Sequence, residues 1–280
     1  MGTYKIQDLL TISKRMSVQQ QFKLARKFIK YSLTSGNRHD VHSPFIYKLA
    51  DELLRDKKFK PAYAPVEALR GQLLSDNTIL EVTDLGAGSL TGAHKQRKIS
   101  DIVKSAAKPA KYGQLFYRMI RELDLKNILE LGTSMGISTS YMASTNPQTQ
   151  VYTIEGCPNI AARARANFEQ LGLENIHSYV GNFDEVLDDV LQDMTALDFV
   201  YIDGNHRKLP TIEYYKKCLE KAHDQTVFIF DDIHWTDDME AAWQVIQDHP
   251  QTMVTVDLFF IGMVFLKKDF KHKQHYILKY

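Results

Sequence analysis

Asn127-Ile128-Leu129-Glu130-Leu131-Gly132-Thr133-Ser134-Met135-Gly136-Ile137-Ser138-Thr139 reads as an apolar strand, a tight turn and the start of a helix. Gly132 lets the backbone turn sharply, and Gly136 lets a ligand approach the helix start. The spacing is GxxxG, so the dinucleotide fingerprint GxGxxG is absent, which disfavours a nicotinamide enzyme. Glu155 ends the next strand, 25 residues after Glu130. A carboxylate there can accept hydrogen bonds from both hydroxyls of a ribose. A lone GxxxG turn also fits a packed strand–helix corner. Strand, turn, helix, strand and acid in that order point instead to a nucleotide site.

The same rhythm continues outward. Strand-like runs at 127–131, 150–154, 176–180, 197–202 and 226–230 alternate with amphipathic helical stretches. The intervening helices are expected from Gly136, over 159–171, near 184–191, over 209–222 and over 237–247. Apolar strands separated by helices predict a parallel sheet covered on both faces. Runs at 253–258 and 262–266 follow each other without a helix, which predicts an antiparallel pair at one edge. A further extended piece lies at 274–278. The expected fold is α/β, a doubly wound, Rossmann-like, seven-stranded and mostly parallel sheet over residues 111–280.

Residues 1–110 have a different character and predict a mainly helical extension that recognises substrate. Ser17-Val18-Gln19-Gln20 is a capping-box pattern, and Phe22, Ala25, Phe28, Ile29 and Leu33 follow at helical spacing. Ser43-Pro44 opens another helix, with Ser as N-cap and Pro in its first turn. Its apolar face is Phe45, Ile46, Leu49, Ala50 and Leu53. Helices are also expected over 66–74 and 99–106, with Ile79–Leu85 extended, a loop to Lys98 and a break at Lys108-Pro109. Asp84-Leu85-Gly86-Ala87-Gly88-Ser89 is richer in glycine than the turn at Gly132. No second strand with a terminal acid follows it, so it reads as a loop on the substrate side.

The 280 residues carry a formal net charge of +1, which conceals an asymmetry. Residues 1–112 balance to +10 and residues 113–280 to −9. A composition of 44% hydrophobic and 25% charged residues excludes global disorder. The two cysteines, Cys157 and Cys218, match no metal spacing and read as reduced thiols. Lys5, Lys14, Arg15 and Lys23 interrupt the start of the chain, so no signal-peptide core is expected. The longest apolar run, Leu258–Leu266, is too short for a membrane helix, which needs about 20 residues. The expected compartment is the cytoplasm, with no membrane partner.

Phe199-Val200-Tyr201-Ile202-Asp203-Gly204-Asn205-His206 places Asp203 at a strand end, and Phe228-Ile229-Phe230-Asp231-Asp232 places two more aspartates at the end of the next. In open α/β sheets, ligands bind outside the carboxyl ends of the strands. Three carboxylates converging on one crevice repel, so a positive charge should sit between them. Hard oxygen ligands favour Mg²⁺ on Asp203, Asp231 and Asp232. The plainer alternative is that Asp231 and Asp232 cap the following helix and Asp203 meets solvent.

In this order the motifs resemble the class I S-adenosylmethionine-dependent methyltransferases, in the catechol-O-methyltransferase-like, metal-dependent O-methyltransferase group. The likeness covers roughly residues 111–268. Lys111-Tyr112-Gly113-Gln114-Leu115 is similar to that family's lead-in helix. The segments at 130–138, 151–156, 201–206 and 229–234 are similar to its glycine, ribose-acid and two metal-bearing motifs. The resemblance implies cofactor contacts at Gly132, Ser134, Gly136, Ser138 and Glu155, with Asn182 and Phe183 beside the adenine. It implies metal at Asp203, Asp231 and Asp232, although the family usually has Asn where Asp232 stands. Its lysine base falls where this chain has His206, a residue type able to take a proton near neutral pH. His206 and Asp203 are the catalytic candidates and His234 a competing base, whereas His39 and His42 read as structural.

The expected acceptor is a small hydroxylated molecule such as a diol or catechol, and the basic first part leaves an anionic one open. Two other readings stand beside it: methylation of a hydroxylated nucleoside in tRNA, and a non-catalytic S-adenosylmethionine-binding scaffold. For tRNA the basic residues would have to meet phosphate. Without clustered arginines, a helical cap docking on its own acidic partner is the better expectation. A homodimer is compatible with all three.

Overall fold

The computed structural model describes residues 17–83 and 95–280. The glycine-rich loop expected at 84–89 therefore lies outside the described residues. The chain runs α1 (Val18–Thr34), α2 (Pro44–Lys48, prolonged by a π-helical turn at Leu49–Leu54), α3 (Tyr63–Ser75), β1 (Ile79–Val82), β2 (Lys95–Lys98), α4 (Ile99–Ala106) and α5 (Ala110–Glu122). Then come β3 (Asn127–Leu131), α6 (Ile137–Ala143), β4 (Gln150–Glu155), α7 (Pro158–Gln170), β5 (Ile176–Val180), α8 (Phe183–Asp193) and β6 (Leu197–Ile202). It closes with α9 (Lys208–Leu219), β7 (Ala222–Asp231), α10 (Asp237–Asp248), β8 (Val254–Asp257), β9 (Ile261–Phe265) and β10 (Gln274–Ile277).

The main sheet has eight strands in the order β10-β8-β9-β7-β6-β3-β4-β5. From β3 the chain winds outward through β4 and β5, then returns through β6 and β7 on the other side, all parallel. β9 runs antiparallel to both β7 and β8. The expected doubly wound sheet is present, with one correction: among the described residues it has eight strands, not seven. β10 adds parallel to β8, with Gln274 opposite Val254 and Ile277 opposite Asp257. Its position depends on the first helices: Gly36 bridges to Leu278, and the Tyr31 hydroxyl donates to the Leu278 carbonyl. No pattern within 274–278 encodes those partners.

Alternation along the strands sorts the sheet's faces. Ile128, Phe199, Tyr201, Val227 and Ile229 face a core built with Tyr112, Leu115, Phe116 and Met119 of α5 and with residues of α1 and α2. Leu129, Val200, Ile202, Phe228 and Phe230 face α8, α9 and α10 through Leu187, Val190, Tyr215, Cys218, Trp243 and Ile246. A third core joins α3 and α4 to Tyr117, Met135, Tyr141 and Ile160. The N-terminal residues thus share their apolar cores with the sheet.

Local signals predict helix starts well and buried faces less well. Ser17 forms its capping box, and Ser43 accepts the Ile46 amide ahead of Pro44. On α1, however, Leu24 and Tyr31 are the buried positions, while Phe22, Ile29 and Leu33 are exposed. The expected apolar face is thus rotated, because helical spacing carries no information about the distant Phe259 and Phe260, which pack on Phe28. Lys95–Lys98, expected as loop, is a strand paired antiparallel with Ile79–Val82. The helix expected to reach Ala222 stops at Leu219, and Ala222 already belongs to β7. Lys23 and Lys27 pair with Asp237, and Lys27 also with Glu240, joining the basic first part to the acidic second. No helix among the described residues is long and apolar enough to cross a membrane.

Candidate active site

The carboxyl ends of β3, β4, β5 and β6 line one crevice with two adjoining cavities. The outer, of about 220 Å³, is lined by Gly132, Ser134, Glu155, Asn182, Phe183 and Asp203, among others. The inner, of about 30 Å³, shares Gly132, Ser134 and Asp203 and adds Arg70, Lys108, Ser138, Tyr141 and Tyr201. Gly132, Ser134 and Asp203, with Ala106, are thus the common wall.

The turn after β3 is held from two sides. Gly132 has φ +110°, and a Cβ there would lie 2.1 Å from the Asp203 carbonyl oxygen. Ser134 also has a left-handed backbone, φ +48°, and its amide donates to Glu155 Oε2 at 2.9 Å. Glu155 Oε1 accepts the Cys157 amide at 3.0 Å. These bonds hold the carboxylate at the cavity wall. Phe183 packs edge-on against Tyr214, while Asn182 caps α8 by accepting the Asp184 amide. A carboxylate, an aromatic ring and a glycine turn on one cavity wall are the groups that a nucleoside would require.

Two expected cofactor residues are engaged elsewhere. Gly136 lines neither cavity; a Cβ on it would fall 2.3 Å from the Phe168 ring, so its glycine serves packing against α7. Ser138 does line the inner cavity, but its hydroxyl donates to Glu130 Oε1 at 2.5 Å. Glu130 was not singled out by the sequence as a functional group. It is fully buried and also accepts the hydroxyls of Thr139 and Thr153, and Thr133 in turn bonds Thr153. Burial pushes its carboxyl up to about 7, against the pull of those three hydroxyls.

That shift has a measurable consequence. An acid raised in the folded state stabilises fully below its unfolded value and loses that contribution as pH rises through the folded one. Moving a carboxyl from 4.5 to about 7 corresponds to about 3 kcal/mol lost between those pH values. Chemical denaturation of wild type and Glu130→Gln across this range should show wild type losing stability relative to the variant. Parallel profiles would show that Glu130 titrates normally.

Asp203 and Asp231 meet at the strand ends, and the positive charge expected among the carboxylates is a lysine. Asp203 Oδ2 accepts the Tyr201 hydroxyl at 2.8 Å, and Asp203 Oδ1 lies 3.6 Å from His206 Nε2. Asp203, His206 and Asp231 offer ligand atoms all within 4.8 Å of one another. Asp231 is 2% exposed, and its Oδ1 has no hydrogen-bond partner. Asp232 does not join this group. The Lys108 ammonium sits between the neighbours, 2.9 Å from Asp231 Oδ2 and 2.6 Å from Asp232 Oδ1. Burial favours neutral lysine, but Asp231, Asp232 and Asp203 outweigh it and hold Lys108 well above the ordinary range. Burial and the facing Asp203 raise Asp231 in turn.

The divalent site expected on Asp203, Asp231 and Asp232 therefore does not fit as a set, because one oxygen from each of the last two is given to an ammonium. The sequence pointed to a positive charge at this place, and Lys108, read only as a helix break, supplies it. His234 is also accounted for: one ring nitrogen meets Glu240 and the other Asp257, so neither is open to substrate. His206 packs edge-on against Trp235 and keeps its Nε2 toward Asp203.

Residues 129–233 match a family profile described as a methyltransferase domain. A catechol O-methyltransferase from Niastella koreensis is 30% identical over 122 residues, covering 42% of this chain and 54% of that protein. The chain thus spans about half the length of that relative. The O-methyltransferase from Bacillus cereus in complex with SAH superposes with TM-score 0.52 at 18% identity, covering 78% of this chain and 94% of the other. An SAH-bound methyltransferase from Podospora anserina gives 0.55 at 13% identity, covering 81% and 97%. At such identities the superpositions speak for the fold, and the profile speaks for a methyltransferase domain over residues 129–233. Together with the ordered motifs, they show that residues 129–233 of this chain form a methyltransferase domain.

Proposed function

We propose that the protein transfers the methyl group of S-adenosylmethionine to a hydroxyl of a small acceptor such as a diol or catechol. The observation that carries this reading is the shared wall of the two cavities. A nucleoside cradle at Glu155 and Phe183 opens onto Asp203 and Lys108 across Gly132 and Ser134, and His206 Nε2 stands 3.6 Å behind Asp203 Oδ1. Bound S-adenosylmethionine supplies an electrophilic methyl on sulfur. Glu155 accepts the ribose hydroxyls, Phe183 and Asn182 flank the base, and Arg70 at the inner cavity suits the cofactor's carboxylate. Asp203 and Lys108 orient the acceptor, and His206 takes its hydroxyl proton at Nε2. The acceptor oxygen forms the new C–O bond, and the S–C pair returns to sulfur as a neutral thioether. Alignment of this in-line displacement can contribute several kcal/mol to lowering the barrier.

The positive charge that such an oxygen needs has two candidate sources here. One is a divalent ion on Asp203, His206 and Asp231, favoured by the unpartnered Asp231 Oδ1; the other is Lys108. Calorimetry with S-adenosylhomocysteine and labelled-methyl transfer to a catechol panel test the reading. Binding with turnover is expected. Binding without turnover on any hydroxylated acceptor would favour the scaffold.

A further inference from the structure

We propose that Lys108 is the built-in cation of this site, standing where the family's fold would place a divalent ion, so that the protein works without metal. The proposal rests on the methyltransferase reading above for what the cation does, though not for where it sits.

Three features show that the ammonium is built into the site. Lys108 lies in the short connection between α4 and α5, where Ala107 is extended and Pro109 forms the N-cap of α5. Its carbonyl accepts Arg70 Nη1 at 2.9 Å, which ties the connection to α3. Its side chain is 16% exposed and bridges two carboxylates that are 2% and 14% exposed. A surface lysine pairing by chance would keep its head in water; this one ends among acids at the floor of the crevice.

A divalent ion at the same place would need the oxygens that Lys108 holds. Hard cations require several oxygen donors at once. With Asp231 Oδ2 and Asp232 Oδ1 engaged, the donors that lie within reach of one another are on Asp231, Asp203 and His206. A dication on those three would also lie close to a fixed ammonium, and like charges at that range repel. An ammonium has three donors, and the carboxylates take two of them. Lys108 lines the inner cavity, so the third is available to an acceptor oxygen that gains negative charge as its proton leaves.

Mn²⁺ titration of the full chain by electron paramagnetic resonance, with S-adenosylhomocysteine present, tests the assignment. Wild type should leave Mn²⁺ free and should turn over equally in EDTA and in Mg²⁺. Lys108→Met removes the counter-charge, so it should gain Mn²⁺ binding and lose turnover by about 100-fold, the scale of removing one donor to a developing oxyanion. Lys108→Arg should recover part of that turnover. Stoichiometric Mn²⁺ on wild type, loss of turnover in EDTA, or a Lys108→Met variant with wild-type turnover would each overturn the proposal. Should Lys108→Met fail to fold, the two wild-type measurements decide alone. Failure of wild type to bind S-adenosylhomocysteine would sink the methyltransferase reading instead, while free Mn²⁺ would still support Lys108 as the cation.

Discussion

Gly132→Val is expected to abolish S-adenosylhomocysteine binding and to lower the thermal midpoint sharply. Two independent costs act at this position. The backbone has φ +110°, which a β-branched residue adopts only with strain. The first side-chain atom would also stand 2.1 Å from the Asp203 carbonyl oxygen, a rigid backbone group. Asp203 cannot move aside freely, because its amide donates to the Leu131 carbonyl at 2.9 Å. Relief must therefore come from parting the ends of β3 and β6, which removes the wall common to both cavities. A loss of roughly 4 kcal/mol, in the range of severe strain mutants, is reasonable. Calorimetry on the fraction that remains folded separates binding from stability. Normal affinity in that fraction would show that the nucleotide does not lie over this turn.

Glu155→Ala should weaken S-adenosylhomocysteine by at least about 100-fold, since hydrogen bonds to a charged group contribute roughly 1.5–3 kcal/mol each. The carboxylate has two duties. It holds the turn through the Ser134 and Cys157 amides, and it faces the cavity where ribose hydroxyls would lie. Glu155→Gln keeps the shape and loses the charge, so it should fall between the two. Isothermal titration of all three proteins reads the series directly. If Glu155→Ala binds as wild type does, the ribose is elsewhere.

The legible part of this protein was its alternation. Apolar runs of strand length, helical spacing between them and a glycine turn at Gly132 are local, periodic features, and they predict the doubly wound sheet and the crevice at its carboxyl edge. Acids at strand ends were visible for the same reason: Glu155, Asp203, Asp231 and Asp232 stand at the last or next position of apolar runs. Gly136 shows the limit. Its motif position suggested ligand contact, whereas the neighbour that requires a glycine there is Phe168, 32 residues on.

The sequence by itself determined the alternation of strands and helices from Asn127 to Phe265, the expectation of a crevice at their carboxyl ends and the need for a positive charge among its carboxylates. Only the tertiary structure decided what supplies that charge. Lys108 and Asp232 are 124 positions apart, and nothing in the spacing of either predicts the other. The same holds for the eighth strand, fixed by Gly36 and Tyr31, and for the buried face of α1, fixed by Phe259 and Phe260. Periodicity records which side of an element avoids water. It carries no information about which distant charge or ring will meet that side, because such pairings are settled by the packing of whole elements.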